Sequence, residues 1–224
     1  MLRTRLALAF TLAVALAVPA VAKAPERPRH NVIIFVADGL RYVSVTPKTA
    51  PTLWRVMHQG VNFTNSHSMY PTITTVNASA IATGHYIGDT GNFGNTLYSG
   101  FPSAESGNAP IGLMENDVML GEMNDRFGGN YLNEESLLAA ARRQGFATAV
   151  MGKVGPTAIQ DITQRDGTGG IVIDDGFGKP KGIPVARDIL DGIKAAGLDA
   201  TAPASNAPNG VQQKYMMAVA TQVV

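Results

Sequence analysis

The chain has 224 residues, no cysteine and a formal net charge of +1 at pH 7. Hydrophobic residues make up 45% and charged residues 16%, as in ordinary globular proteins, and 24 glycines with 13 prolines predict many loops. The lack of cysteine excludes disulfides and thiolate chemistry. The length suits one domain or part of a larger α/β enzyme.

The first 22 residues have the pattern of a secretory signal peptide. Arg3 and Arg5 precede an apolar run from Leu6 to Val18, and Ala20-Val21-Ala22 supplies small residues for cleavage. A membrane anchor is the alternative, but the run is shorter than the roughly 18 to 20 apolar residues that a span needs. We therefore expect a protein secreted to the periplasm, with no later membrane span.

Cleavage of this signal would remove Arg3 and Arg5 and no acidic residue, which lowers the formal net charge by two, to −1. A nearly neutral protein lacks the basic surface that binds nucleic-acid backbones or anionic membranes. We therefore expect no nucleic-acid partner, and no membrane partner after cleavage. The sequence leaves the oligomeric state open.

Strands and helices alternate along the rest of the sequence. Residues 23–30 form a polar leader broken by prolines, and residues 31–224 form the predicted domain. Apolar runs predict strands at Val32–Ala37, Val61–Ser66, Phe146–Met151 and Ile171–Ile173. Helices are predicted at Pro51–Gln59, Thr75–Thr83, Glu134–Arg143, Val185–Ala196 and Val211–Val224, and residues 88–110 are predicted to be irregular. This order predicts an α/β fold with a mainly parallel sheet and helices on both faces.

Asp38 comes directly after the first predicted strand. The run Val32–Ala37 is apolar without alternation, which is typical of a strand buried on both faces of a parallel sheet. Open α/β sheets place ligand-binding groups at the carboxyl ends of their strands. However, Asp38-Gly39 is also a common turn sequence, and by itself the pattern favours the turn.

Thr74 ends the loop Tyr70-Pro71-Thr72-Ile73 and precedes the second predicted helix. Unpaired N–H groups and the positive end of the helix dipole make such a position a site for phosphate-like anions. The alternative is that Thr74 or Thr75 only caps the helix. Without other information the pattern favours the cap.

The motifs between residues 31 and 95 also keep a fixed spacing. The strand ends in Asp38-Gly39, the segment Tyr70-Pro71-Thr72-Ile73-Thr74-Thr75-Val76-Asn77 follows, and Thr83-Gly84 leads to Gly94-Asn95. Together they resemble the N-terminal portion of the nucleotide pyrophosphatase/phosphodiesterase family, which belongs to the alkaline phosphatase superfamily of two-metal hydrolases. The resemblance implies that the chain begins an alkaline phosphatase-like catalytic domain.

This resemblance implies a role for each matching polar residue. Asp38 would bind zinc, Thr74 would bind the same zinc and act as the nucleophile, and Asn95 would hold a phosphoryl oxygen. The complete enzyme would use two zinc ions to hydrolyse a small-molecule phosphodiester, or a phosphomonoester, through a phospho-threonine intermediate. Lys153 resembles the anion-contacting lysine of sulfatases in the same superfamily, although a surface lysine is the simpler interpretation.

The sequence also departs from the family pattern. Thr75-Val76 replaces the usual Phe-Pro, Thr90 replaces a common histidine, and the sulfatase Cys/Ser-x-Pro-x-Arg motif is absent. The histidines show no metal-binding spacing; they are His30, His58, His67 and His85.

The downstream Asp-x-x-x-His and Asp-His-Gly motifs of the family are absent as well. Asp38 and Thr74 would give only two of the roughly four ligands of a zinc ion. We therefore expect this sequence to be a fragment of a longer enzyme and inactive alone, although a natural C-terminus can look similar. The alternative function is a non-catalytic secreted anion-binding domain.

Overall fold

The computed structural model describes residues 30–206 and 208–223. The chain divides into a first unit, Met1–Ser44, and a second unit, Val45–Val224. The predicted signal peptide, and all of the polar leader except His30, lie outside the described residues. Within those described ranges, no helix has both the length and the apolar character needed to cross a membrane.

The described part of the first unit, residues 30–44, contains a turn at Asp38-Gly39 and a 3-10 turn at Tyr42–Ser44. The predicted strand Val32–Ala37 is not formed, and its side chains are exposed, with Val32 at 83% and Phe35 at 62%. A strand needs a neighbour to complete its backbone hydrogen bonds, and no segment within residues 30–44 pairs with it. The prediction of a buried strand here was wrong.

Short helices and short strands make up the second unit. The helices are α1 (Pro51–Gln59), α2 (Thr74–Thr83), α3 (Ile87–Thr90), α4 (Asp117–Arg126), α5 (Leu137–Arg143), α6 (Pro156–Gln160), α7 (Arg187–Ala195) and α8 (Gly210–Val223). The strands are β1 (Thr96–Tyr98), β2 (Ile111–Leu113), β3 (Ala149–Gly152) and β4 (Ile171–Asp174). The α/β character of the prediction is confirmed.

The strands of the described residues form two separate pairs. β1 and β2 are antiparallel, with Thr96 opposite Leu113. β3 and β4 are parallel, with Ala149 opposite Ile171. The predicted mainly parallel sheet is therefore present only as the β3–β4 pair.

Helices cover both faces of the β3–β4 pair. Because side chains alternate along a strand, Val150 and Val172 enter one apolar core and Met151 and Ile173 enter another. The first core includes buried residues of α2, α4 and α6, among them Ala78, Leu120 and Ile159. The second includes buried residues of α7 and α8, among them Ile193 and Val219. The two-faced arrangement predicted for the sheet is confirmed for this pair.

The predicted helices all have counterparts, with some ends shifted by a few residues. α1 has the predicted bounds, whereas α5 begins late because the Ser136 hydroxyl accepts a hydrogen bond from the N–H of Ala139 and caps it. Two predictions failed: residues 61–66 form no strand, and residues 88–110, predicted to be irregular, contain β1. The elements α4, α6 and β2 were not predicted from the sequence.

Candidate functional site

Asn77 fixes the loop that leads into α2. Its side-chain oxygen accepts a hydrogen bond from the N–H of Met69 at 2.8 Å, and its amide group donates to the carbonyl of Ile73 at 3.0 Å. These bonds hold the preceding loop against the first turn of the helix. Thr74 consequently becomes the first residue of α2, after Ile73 in the N-cap position.

Neither threonine acts as the cap of α2. Ile73 occupies the N-cap position, and no side chain makes a capping hydrogen bond there. The alternative that Thr74 or Thr75 only caps the helix was therefore wrong. The first turn keeps the partial positive charge that favours anions at a helix N-terminus.

The two neighbouring threonines have different environments. Thr75 is fully buried, and its hydroxyl lies 3.0 Å from the carbonyl of Gly94 and 2.9 Å from Oδ1 of Asn95. Thr74 is only partly buried, and its hydroxyl has no hydrogen-bond partner among residues 30–206 and 208–223. The Thr75 hydroxyl therefore makes structural contacts, whereas Thr74 Oγ1 makes none with the described residues and could contact a substrate.

Asn95 is held by the N-terminus of α2. Its Oδ1 accepts a hydrogen bond from the backbone N–H of Thr75 at 3.1 Å as well as facing the Thr75 hydroxyl. Because the oxygen of the amide must face these donors, its NH₂ group is directed elsewhere. That group donates to Oε1 of Glu115 at 3.4 Å.

Lys153 meets the same carboxylate. It directly follows β3, its side chain is 54% exposed, and its Nζ lies 2.5 Å from Oε1 of Glu115. Asn95 contacts both Thr75 and Glu115, and Glu115 also pairs with Lys153. These side chains therefore form one continuous series of polar contacts. Lys153 is thus a surface lysine that follows a strand and pairs with Glu115, and its contact with an anion stays a prediction.

The β1–β2 pair and a close backbone contact place Glu115. Beyond the strand ends, the N–H of Met114 donates to the carbonyl of Asn95 at 2.7 Å, so the next residue, Glu115, follows beside Asn95. Gly155, with a φ of +90°, packs so closely that a Cβ there would lie 2.6 Å from Glu115 Cα. A glycine is required at this contact.

Glu115 was not among the site residues predicted from the sequence. An acidic residue soon after a strand was the pattern that pointed to Asp38, and Glu115 lies two residues after β2. β2 has only three residues and was not predicted. The pattern could have found Glu115 only after the strand itself had been recognised.

The second unit also contains a buried pair of carboxyl groups. Asp117, at the start of α4, and Asp174, at the end of β4, are 9% and 1% exposed. Burial, with the neighbouring Asp117 carboxyl as a further cause, raises the pKa of Asp174 to about 8. The N–H of Gly176 donates to Asp174 Oδ1 at 2.8 Å and partly offsets this rise.

Asp38 lies in the first unit, in the turn with Gly39, where the N–H of Leu40 donates to the carbonyl of Ala37 at 3.2 Å. The turn interpretation of Asp38-Gly39 is confirmed. The ligand role of Asp38 stays a prediction.

The family model of type I phosphodiesterases/nucleotide pyrophosphatases matches residues 32–213. The chain belongs to this family. No curated protein and no solved structure gives a significant match. The resemblance identified in residues 31–95 is thereby confirmed, and the match extends through the segment that contains Glu115 and Lys153.

Membership of the type I phosphodiesterase/nucleotide pyrophosphatase family supports a phosphoester hydrolase, and small-molecule phosphoesters fit that family as substrates. Members of the family are typically metal-dependent. Across residues 30–206 and 208–223, no group of three or more His, Asp or Glu side chains could hold a metal ion. Asp38 and Thr74 alone do not fit the roughly four ligands of zinc. The described donors therefore do not form a complete zinc site.

Proposed function

We propose that the chain provides the nucleophile and the anion-binding groups of a phosphoester hydrolase, with Thr74 attacking phosphorus. The observation that supports this most directly is the contrast between two hydroxyls: that of Thr75 is hydrogen-bonded, whereas that of Thr74 has no partner in the part of the chain that the structure describes. A nucleophilic hydroxyl must be able to approach its target. At the first turn of α2 the helix dipole favours negative charge on the incoming phosphoryl group.

Asn95 and Lys153 would bind the phosphoryl oxygens. The Asn95 amide is oriented before substrate arrives, because its oxygen is bound at the N-terminus of α2. Preorganised donors of this kind stabilise charge without further rearrangement. Attack by Thr74 would form a bond from Oγ1 to phosphorus while the bond from phosphorus to the leaving oxygen breaks, and the hydroxyl proton would leave with the released alcohol. Water would then cleave the phospho-threonine and regenerate the hydroxyl.

Zinc dependence remains part of the proposal, with Asp38 and Thr74 as candidate ligands of one of two ions. A bound divalent metal would stabilise the alkoxide of a nucleophilic hydroxyl. The described residues give too few ligands for such a site by themselves. The expectation that this chain is inactive alone, meaning that it completes no catalytic cycles, therefore stays a prediction, as does its secretion to the periplasm.

Labelling of Thr74 tests this function without requiring sustained turnover. The full chain is incubated with bis-p-nitrophenyl phosphate and zinc, and p-nitrophenolate release and adducts are followed by absorbance and by peptide mass spectrometry. We expect up to one equivalent of p-nitrophenolate and a phosphoryl adduct on Thr74. In Thr74→Ala both should disappear.

Thr72→Ala is the matched control, because Thr72 is an exposed hydroxyl in the same loop. It should retain both the adduct and the release. An adduct on another residue, release that persists in Thr74→Ala, or no adduct in the wild type would contradict the proposal.

The second candidate is a non-catalytic anion-binding domain. The observation in its favour is that Asn95 and Lys153 form a connected polar group, whereas no metal-binding cluster is found in the described ranges. It predicts binding of inorganic phosphate in both wild type and Thr74→Ala, with no covalent label in either. The labelling experiment therefore separates the two functions.

A further inference from the structure

The carboxylate of Glu115 lies between the two donors proposed to bind substrate. The same oxygen, Oε1, accepts from the Asn95 amide at 3.4 Å and is 2.5 Å from Lys153 Nζ. An anion that contacted both donors would approach this carboxylate closely. The group therefore combines one positive and one negative side chain.

The backbone around Glu115 limits how far this carboxylate can move. Met114 is tied to Asn95 by the hydrogen bond that extends the β1–β2 pair, and Gly155 packs against Glu115 Cα. Asn116 caps α4 by accepting a hydrogen bond from the N–H of Met119 at 3.0 Å. The Glu115 side chain itself is only 22% exposed. A negative charge is thus fixed beside the donors.

A fixed negative charge affects the two classes of phosphoester differently. A phosphodiester bears one negative charge, whereas a phosphomonoester bears close to two above its second pKa, which is about 6. Repulsion grows with the charge of the ligand, and partial burial leaves it less screened than at an exposed site. Unfavourable charge pairs of this kind are a common source of specificity.

We propose that Glu115 makes the site select monoanionic phosphodiesters over dianionic phosphomonoesters. This inference rests on the proposed function in one respect: Asn95 and Lys153 must be the groups that contact the phosphoryl oxygens. Glu115 is a specificity-determining residue in this scheme and takes no part in bond making or breaking.

Binding of two small anions measures this selectivity directly. Inorganic phosphate, at about pH 8.5 where it is mainly a dianion, and the monoanion dimethyl phosphate are each titrated into the full chain at low salt. The side-chain amide signals of Asn95 report binding by NMR and are identified with Asn95→Ser. In Glu115→Gln the affinity for inorganic phosphate should rise about tenfold, equivalent to about 1.4 kcal/mol. The affinity for dimethyl phosphate should change by less than about threefold, since the repulsion removed is smaller.

Glu135→Gln is the matched control. It removes one carboxylate that is paired with Arg143 instead of with Asn95 or Lys153, so both affinities should stay unchanged. Glu115→Ala provides a second variant and should shift selectivity in the same direction as Glu115→Gln. Lys153→Met should weaken phosphate binding in both the wild-type and the Glu115→Gln backgrounds.

The inference is overturned if Glu115→Gln changes both affinities equally or neither, or if phosphate binding does not depend on Lys153. These measurements require no turnover. Failure of Thr74 labelling with the selectivity shift intact would refute the catalytic proposal alone. Labelling of Thr74 without the shift would refute only the role of Glu115.

Discussion

The second unit buries polar side chains, whereas the described part of the first unit exposes apolar ones. Thr75, Asn92 and Asp161 are all at most 1% exposed in the second unit, while Ile34 is 59% exposed in the first. These three side chains each have partners: for example, the Asn92 amide donates to the carbonyl of Thr75 at 3.2 Å, although its Oδ1 has no partner among the described residues. Hydropathy alone therefore does not decide burial in this molecule, because polar side chains are also buried where they find partners.

The largest effect should come from breaking the buried ion pair of Arg142 and Asp161. Asp161 is 1% exposed and receives both terminal nitrogens of Arg142, one of them at 2.7 Å. Arg142→Met would leave a buried charge without its partner, so we expect the free energy of unfolding to fall by about 3 to 5 kcal/mol. Denaturant unfolding followed by circular dichroism measures this change.

The adjacent Arg143 offers a matched comparison. It pairs with Glu135, but the two side chains are 62% and 45% exposed. Arg143→Met should cost less than about 1 kcal/mol, because exposed ion pairs contribute little. If both variants lost the same free energy of unfolding, pairing with Arg142 would not be the reason that Asp161 can be buried.

A smaller effect, on the order of a few kcal/mol, should appear as a dependence of stability on pH. Burial raises the pKa of Asp174 from 3.8 to about 8, so between these values the folded chain keeps a proton that the unfolded chain has lost. The free energy of unfolding should therefore fall as pH rises from about 5 to about 8 and level off above that. Denaturant unfolding at several pH values tests this.

Asp174→Asn removes the titrating carboxyl and should flatten most of that slope. The other groups near Asp174 are Asp117, whose pKa burial also raises, Asp175, and Arg165, which lies near Asp117. A slope that persists unchanged in Asp174→Asn would mean that another group keeps the proton. Stability that increases with pH in the wild type would mean that Asp174 is ionised in the folded chain.

The sequence predicted the helices of the second unit better than its strands. α2 was predicted within one residue, because Gly84 ends it in the left-handed conformation typical of a helix C-terminus. α4 was missed because acidic and basic residues, such as Asp117, Glu122 and Arg126, interrupt the apolar positions that it buries. A strand forms only beside a partner strand, and the sequence pattern does not reveal which segments pair.

The candidate site shows the same limit. Family spacing pointed to Thr74 and Asn95, and the structure adds the contact by which the Asn95 amide oxygen is held at Thr75. Glu115 comes from a segment separated from Asn95 by 20 positions and from Lys153 by a further 38, and a three-residue antiparallel pair brings it to them. No local pattern encodes such a meeting point. In our proposal the charge of Glu115 nevertheless decides which anions the site favours.

The smallest effect on stability should come from the exposed apolar segment of the first unit. Ile34 is 59% exposed, and substitutions at exposed positions usually change the free energy of unfolding by no more than about 0.5 kcal/mol. Ile34→Ser should therefore leave the unfolding midpoint nearly unchanged. Because contiguous exposed apolar side chains favour association, the same variant should also reduce self-association measured by light scattering.

Ile173→Ser in β4 is the matched buried change. Ile173 is 1% exposed within the second apolar core, so its loss should cost about 3 kcal/mol or more, from lost packing and from the buried hydroxyl. The two isoleucines have the same chemistry and differ in their surroundings. If Ile34→Ser proved as costly as Ile173→Ser, the segment Val32–Ala37 would have to be packed against other residues in solution, and the contrast between the two units would fail. A small cost at Ile34 beside a large one at Ile173 would establish that the surroundings of an apolar side chain, and not its hydropathy alone, decide whether this chain buries it.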